Sequence, residues 1–294
     1  MDLTEHQSRG LEAASQHGLQ RESVIRPPSL SGMNLLQDLR KLKQYGDLLY
    51  TLSVHRVKVR YKQSVLGILW AILQPFSMML IFTFIFSFIA RIPSEGAPYA
   101  LFAYTALLPW NFFSSSVSNA TNSLVSHSQF VTKVYFPREI LPISYIAAAF
   151  VDFLIASTLL AGLMLYYRVA LTLNSLYALP IVLILTCFAL AMSFLFSATQ
   201  VRIRDIGVAV PLLLQLWLFA TPVIYPLSAV PLRLRPIYVL NPMVGVIENF
   251  RRVILHGQAP ELRSLLVSAM ISIVLLFGFY IYFKRVEATM ADFI

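Results

Sequence analysis

Long apolar segments are the feature that most constrains what this chain can fold into. A bilayer core offers no hydrogen-bond partners, so a spanning segment must satisfy its own backbone, and a helix needs about 20 mainly apolar residues to cross. Six segments meet or approach this length: residues 65–90, 99–117, 141–166, 176–199, 206–224 and 265–283. They predict an all-α integral membrane protein with six transmembrane helices.

The scarcity of charge agrees with a membrane protein. Only 13% of the 294 residues are charged and 57% are hydrophobic, which is too little charge to solvate a globular surface. The basic residues that give the net charge of +9 form short clusters, and seven of the 23 Lys and Arg residues lie between Arg40 and Lys62. Such clusters at the ends of apolar segments attract anionic headgroups, so we expect membrane lipids, and no nucleic acid, as partners.

The basic residues also predict the side of the membrane that each loop faces. With a cytoplasmic N-terminus and a change of side at each span, 16 Lys and Arg residues fall inside and seven outside. Both termini are therefore expected in the cytoplasm. Five of the seven outer arginines lie in the long loop before the last span, and long loops obey the charge rule poorly.

The order of polar and apolar regions predicts four parts of the chain. Residues 1–33 are polar, lack the apolar core of a signal peptide and predict a disordered cytoplasmic tail. Residues 34–63 predict a cytoplasmic amphipathic region, residues 64–286 the transmembrane domain, and residues 287–294 a cytoplasmic C-terminus.

An interfacial helix is predicted immediately before the first span, beginning after Gly46. Its apolar side is expected to carry Leu48, Leu49, Leu52 and Val59. Arg56 and Arg60, four residues apart, share another face of this helix. The pattern is that of a helix lying on the cytoplasmic surface of the membrane.

A capped helix is predicted in an outer insert between spans five and six. Asn241 supplies an N-cap, Pro242 suits the first helical position, and Gly257 ends the segment. The pattern fits an amphipathic helix in the outer leaflet, with Arg251 and Arg252 turned towards headgroups or water. It fits equally a helix packed on the outer ends of the spans.

Motifs for catalysis are absent from the sequence. There is no Gly-x-x-x-x-Gly-Lys-Ser/Thr phosphate loop and no dinucleotide-binding glycine pattern, so this chain is not expected to hydrolyse ATP. The histidines are scattered and Cys187 is the single cysteine, which gives no metal site. We therefore expect no catalytic residue and no cofactor on this chain.

Asp152 is the one charged residue well within a predicted span. An ionisable residue at membrane depth is a functional candidate by default. Hydrogen bonds to Ser or Tyr neighbours in the helix bundle would explain it as well. The sequence leaves both readings open.

Seven short strings occur in a fixed order from residue 56 onwards. They are 56–62 (RVKVRYK), 64–70 with 74–75 (SVLGILW, QP), 107–113 (LLPWNFF), 133–142 (KVYFPREILP), 201–205 (VRIRD), 221–226 (TPVIYP) and 241–243 (NPM). In this order and on a six-span pattern, they resemble the ABC-2 type permeases that export O-antigen, capsule and teichoic acid polymers. The resemblance covers nearly all of the chain from Leu48 onwards.

The resemblance implies a half-transporter in the bacterial inner membrane. Two copies of the chain would form a channel for a lipid-linked polysaccharide, and two copies of a separate ABC ATPase would bind beneath it with ATP and Mg. An ABC-2 exporter of drugs or lipids is an alternative with the same layout. A membrane scaffold without an ATPase partner is a more distant one.

The same resemblance suggests functional positions. The loop between spans two and three would be the coupling helix that contacts the ATPase, with Phe130, Lys133, Tyr135, Phe136, Pro137, Arg138 and Glu139. The basic helix predicts a cytoplasmic entrance where the phosphate of a lipid-linked glycan meets arginine. The entrance residues are Arg56, Arg60, Lys62 and Trp70.

Aromatic residues are candidates for the wall of the channel, because their faces stack on sugar rings without fixed charge. The expected lining is Phe82, Phe86, Trp217 and Phe219. Aromatic residues also gather at membrane interfaces and face lipid, which is the competing interpretation. An outer gate helix with Asn241, Pro242 and Phe250 would cap the exit.

Overall fold

The computed structural model describes Arg40 and residues 42–62 and 64–290, and every regular element in this part of the chain is a helix. The helices are α1 (Gly46–Lys62), α2 (Trp70–Phe82), which continues as a π-helical segment (Thr83–Ile89), α3 (Tyr99–Thr121), α4 (Ser128–Lys133), α5 (Ile140–Tyr166), α6 (Ala178–Arg202), α7 (Ile206–Ala220), α8 (Arg235–Val239), α9 (Pro242–Ile254) and α10 (Leu262–Glu287). The tail predicted at residues 1–33 lies outside the described residues, as do residues 291–294 of the expected C-terminus.

Four helical segments in the described part are long and apolar enough to cross a membrane. They are Gly67–Ile89, Ile140–Tyr166, Leu173–Arg202 and Leu262–Glu287. Each coincides within a few residues with a predicted span. The two other predicted spans also form helices. Helix α7 has 15 residues, and α3 has 23 residues and is about 34 Å long but ends in polar residues.

Helix α3 lies at the centre of the bundle and packs against α5, α6 and α9. Its Tyr104 is fully buried, and the hydroxyl donates a hydrogen bond to the carbonyl of Ala156 in α5 at 2.8 Å. Phe113 stacks on Phe188 of α6 with ring centroids 5.0 Å apart. Trp217 of α7 stands edge-on to both rings. These aromatic contacts fix α3 between its neighbours.

Helix α9 forms with the predicted start. The Asn241 side chain accepts a hydrogen bond from the backbone N–H of Met243 at 3.1 Å, and Pro242 is the first helical residue. Nearly every side chain of α9 is buried, against α3, α6 and α10. The helix is therefore packed within the protein, which agrees with the second of the two readings above.

The expectation that Arg251 faces water or headgroups is wrong. Its side chain is buried and only 2% of the residue is exposed, whereas Arg252 next to it is exposed. An amphipathic pattern shows which face of a helix carries the charged residues. It does not show whether carbonyl groups from distant segments of the chain surround one of those charges. Here such carbonyl groups do surround it.

Gly245 allows α9 to approach α10 closely. A Cβ atom at this position would lie 2.1 Å from the Ser268 hydroxyl oxygen and 2.9 Å from the Ser264 carbonyl oxygen. Because the backbone carbonyl has little room to move, we expect Gly245→Ala to destabilise the folded protein by about 1–3 kcal/mol. Thermal unfolding in one detergent measures the effect.

The matched control for this substitution is Gly278→Ala on α10, where no atom lies within 4 Å of the added Cβ. Alanine is a better helix former than glycine, so this variant should be neutral or slightly more stable. Equal unfolding temperatures for the two variants would contradict the close approach at Gly245.

Candidate functional site

A cleft of about 690 Å³ opens between α1, α2, α3, α5 and α7. One wall is a polar face of α3 made by Asn111, Ser114, Ser115, Ser118 and Asn119. These positions follow the three- and four-residue spacing of one helix face, and all are half-exposed. The residues between them, such as Phe113 and Val117, are buried in the bundle. The α3 polar face is therefore turned towards the cleft.

The other walls add amides and aromatic rings. Gln74 of α2 and Gln215 of α7 are exposed and line the cleft, together with Trp70 and Phe153. Amide and hydroxyl groups both donate and accept hydrogen bonds without net charge. Such a surface suits a neutral ligand that is rich in hydroxyl groups, and the volume is that of an ordinary ligand site.

At one end of the cleft, α1 is joined to α5 by an ionic cluster. Arg60 forms an ion pair with Asp152. The Tyr61 hydroxyl donates a hydrogen bond to the other oxygen of the same carboxylate at 2.5 Å. Burial, together with the Asp152 carboxylate, raises the pKa of Tyr61 to about 12. The Tyr61 hydroxyl therefore keeps its proton at neutral pH and remains a donor.

Arg56 is held one turn earlier on α1 by different partners. Its Nε donates a hydrogen bond to the Ser144 hydroxyl at 2.7 Å, and its guanidinium lies 3.5 Å from the centre of the Tyr145 ring. Among the described residues its Nη2 has no hydrogen-bond partner although it is buried. Arg56 thus anchors α1 on α5, and Arg60 is the arginine that reaches the cleft.

The residues of the loop predicted as a coupling helix form two sets, an inner set that is buried or bonded to α10 and an outer set that is exposed. Phe136 and Glu139 are buried. Glu139 accepts two hydrogen bonds from the Lys284 ammonium group at 2.8 and 2.9 Å, and the Arg138 guanidinium donates to the Glu287 carbonyl at 2.7 Å. Burial and the nearby Glu287 raise the pKa of Glu139, against the effect of Lys284. The inner set ties the loop to the end of α10.

The outer set of this loop is exposed. Tyr135 is 79% exposed and Phe130 is 55% exposed, with Lys133 also on the surface. Exposed aromatic residues are typical of the centre of a protein interface, and a charged residue such as lysine is typical of its rim. The loop therefore presents an exposed apolar and basic patch made by Phe130, Lys133 and Tyr135, which we call the outward patch. The buried residues of the same loop attach it to α10.

The comparison with known proteins places this chain in a family. The family model described as ABC-2 type transporter matches residues 47–255. The chain belongs to this family. It is a multi-pass membrane protein, and the resemblance found in the sequence is confirmed.

Three curated proteins are similar to this ABC-2 chain over most of its length. The O-antigen export system permease protein RfbA of Myxococcus xanthus is 32% identical over 246 residues, which cover 83% of this chain and 94% of that protein. A protein of the same name from Klebsiella pneumoniae is 30% identical and covers 72% of this chain and 81% of its own length. The polysialic acid transport protein KpsM of Escherichia coli is 27% identical over 250 residues, which cover 82% and 94%.

The four aromatic residues expected along the channel of this ABC-2 chain are not brought together at the cleft. Phe82 is buried and meets Phe86 edge-on at 5.8 Å, and Trp217 packs in the aromatic cluster around Phe113. Phe219 alone of the four is exposed, at 53%. Phe82 and Trp217 therefore pack the core of the bundle, and the aromatic rings at the cleft are others, such as Trp70 and Phe153.

Two of the four residues predicted for the entrance of the ABC-2 chain lie at the cleft. Arg60 and Trp70 line the cleft, and Lys62 is exposed at the end of α1. Val59, expected on the apolar side of α1, is instead 59% exposed. Asp152 has its partners on α1, more than 90 residues earlier in the chain, where no local sequence pattern could reveal them.

Of the three residues predicted for the outer gate helix of the ABC-2 chain, Pro242 and Phe250 are buried and Asn241 is half-buried. The Asn241 amide donates to the Thr221 hydroxyl at 3.0 Å. Arg251, which was not among the predicted site residues, donates hydrogen bonds to the carbonyl groups of Pro222 at 2.8 Å and Val223 at 2.5 Å. Helix α9 therefore fixes the segment that follows α7.

Proposed function

We propose that this chain is the permease subunit of an ATP-driven exporter that moves a lipid-linked polysaccharide, such as O-antigen, across the bacterial inner membrane. The observation that carries the proposal is the polar face of α3, uncharged and open to a cleft within a largely apolar bundle. Sugar hydroxyl groups pair with amides and hydroxyls, and sugar rings stack on aromatic faces such as Trp70. The names of the relatives from Myxococcus xanthus and Klebsiella pneumoniae support this substrate class.

The proposed arrangement in the membrane has six spans. Helices α3 and α7 would be the second and fifth, both termini would lie in the cytoplasm, and α8 and α9 would belong to an outer insert. The low hydropathy of α3 is compatible with a span because other helices surround it and shield its polar groups from lipid. The division into residues 1–33, 34–63, 64–286 and 287–294 is part of the same proposal.

The proposed assembly contains two copies of the chain and two copies of an ABC ATPase that bind ATP and Mg. Exposed apolar side chains on the π-helical continuation of α2 and on α7, such as Phe84 and Leu216, give a surface for lipid or for a second copy. Since the cleft lies between these same helices, two facing copies would place their clefts on a shared path. We propose that this path is the channel.

The outward patch of Phe130, Lys133 and Tyr135 is proposed to dock the ATPase. We expect Phe130→Ala with Tyr135→Ala to lower the amount of ATPase that copurifies with the chain by about tenfold, because aromatic residues at the centre of an interface contribute most of its binding energy. The amount of permease in the membrane should not change. Affinity capture of the tagged permease, with quantification of the ATPase, measures the effect.

The matched control is Tyr166→Ala at the other end of α5, since Tyr166 is also 79% exposed. Undiminished capture by the double variant, or an equal loss with Tyr166→Ala, would contradict the docking assignment.

The amount of polysaccharide on the cell surface is measured in the same strains and tests the substrate class. Normal surface polysaccharide in cells without this permease would favour an exporter of drugs or lipids, and a chain that never captures an ATPase would favour a scaffold.

A further inference from the structure

Helix α1 connects the cleft to the loop that carries the outward patch. Its first half packs through Leu48, Leu49 and Leu52 against a buried cluster that includes Phe136 of the loop. Its last turn reaches the cleft, where Arg60 and Tyr61 meet Asp152. One helix of 17 residues therefore contacts both the cleft and the buried cluster that includes Phe136.

The attachment of α1 at the cleft depends on a single carboxylate. Asp152 lies twelve residues after Ile140, at about 18 Å along α5. It accepts from both Arg60 and Tyr61, so its loss would remove two contacts between the helices at once. In contrast, Arg56 is held to α5 through Ser144 and Tyr145 and is independent of Asp152.

Arg60 is accessible to a ligand while it is paired. Its side chain is 33% exposed and that of Asp152 is 19% exposed, and both line the cleft. A guanidinium has five N–H donors, of which a carboxylate engages two at most, so donors remain for another anion. A phosphomonoester or a diphosphate binds guanidinium in a bidentate manner and carries more negative charge than a carboxylate.

We propose that Arg60, Asp152 and Tyr61 form a latch that the phosphate of a lipid-borne ligand opens, and that α1 transmits the opening to the outward patch. The identity of the ligand rests on the proposed function. The phosphate takes over Arg60 and repels the Asp152 carboxylate, which then releases Tyr61. The last turn of α1 separates from α5 while Arg56 stays in place as a pivot.

A ligand shifts a conformational equilibrium only if it binds one of the two states more tightly than the other, and the latch meets this condition for phosphate. In the latched state Asp152 competes for Arg60, and in the released state it does not, so phosphate binds the released state more tightly. The motion reaches the loop because the first half of α1 packs on the buried cluster that contains Phe136, the neighbour of Tyr135 in the chain. Substrate at the cleft would thereby alter the surface offered to the ATPase.

The test measures the separation of α1 and α5 directly. The full chain carries Cys187→Ser, and spin labels are attached at Val59→Cys and Leu154→Cys, which are exposed positions on the two helices. The protein is placed in nanodiscs of phosphatidylcholine, with and without phosphatidic acid, and distances are measured by pulsed electron paramagnetic resonance. A further sample receives inorganic pyrophosphate in neutral nanodiscs.

We expect phosphatidic acid to raise the ratio of separated to latched molecules about fivefold. Asp152→Asn should show a similar rise without phosphatidic acid, and Arg60→Gln should be separated under all conditions and unresponsive. Lys58→Gln, which removes an exposed charge from the same helix, should respond as the parent does. A response to phosphatidic acid, alone or together with pyrophosphate, supports the latch.

Three other outcomes would overturn the proposed latch. Unchanged distances in the parent and in Asp152→Asn would show a static ion pair, and a loss of response in Lys58→Gln would show general attraction to anionic headgroups. A response to pyrophosphate alone would exclude a lipid-borne ligand. The measurement needs neither the ATPase nor export, so failed ATPase capture with an intact response would reject the proposed function and leave the latch standing.

Discussion

Arg251→Ala is expected to destabilise the folded chain severely. The Arg251 guanidinium donates to the carbonyl groups of Pro222 and Val223, forms an ion pair with Glu248 at 3.2 Å, and lies 3.7 Å from the centre of the Phe102 ring. Its removal leaves buried carbonyl oxygens and a carboxylate without their partner. Loss of such a buried network costs about 3–5 kcal/mol, a large part of the stability of an ordinary domain.

Arg252→Ala is the matched control for this substitution. Arg252 is exposed and donates one hydrogen bond, from Nε to the Ala259 carbonyl at 2.8 Å, so its loss should cost about 1 kcal/mol or less. Thermal unfolding and protease resistance in detergent compare the two variants. Arg251→Lys should be intermediate, because a single ammonium group cannot span the carbonyl positions that the planar guanidinium reaches. Similar unfolding of Arg251→Ala and Arg252→Ala would refute the buried network.

The second large effect is expected at the α3 polar face. Ser115→Leu with Ser118→Leu places two branched apolar side chains in the cleft and removes two hydroxyl groups that could bind sugar. We expect export to fall about tenfold or more, because the path is narrowed and polar substrate groups lose their partners. Surface polysaccharide per permease molecule measures the rate.

Folding should survive this double substitution, since both serines are half-exposed and the Ser115 hydroxyl bonds within its own helix, to the Phe112 carbonyl. Thr158→Leu on α5 is the control, because Thr158 is exposed outside the cleft and also bonds to its own helix. Normal export by the serine double variant would rule out the α3 polar face as part of the path.

Most helices of the bundle are predictable from the sequence because they follow from the length and apolarity of a segment and from the residues at its ends. The expected span at residues 141–166 is observed as Ile140–Tyr166, and the start of α9 at Asn241 follows from local capping chemistry. Helix α1 also begins where Gly46 indicates. Each of these inferences uses residues that are close together in the chain.

The interior of the bundle is less predictable because it depends on residues that are distant in the chain. The pairing of Asp152 with Arg60 and the carbonyl groups around Arg251 join segments far apart in sequence. An aromatic residue such as Trp217 occurs in the same sequence pattern whether it packs in a core or lines a channel. The one signal that was present is the spacing from Asn111 to Asn119, which marks a polar helix face without showing what it faces.

The polar face of α3 also has a consequence for biogenesis. In the proposed six-span arrangement, α3 reaches the translocon after α2 and before α5, with serines and asparagines that disfavour its release into lipid as a single helix. The helices that cover it, α5 and α6, are synthesised later. We therefore expect α3 to remain at the translocon until those helices emerge and to enter the bilayer together with them. The same side chains that would bind a sugar during export thus determine the order in which the newly made chain is inserted.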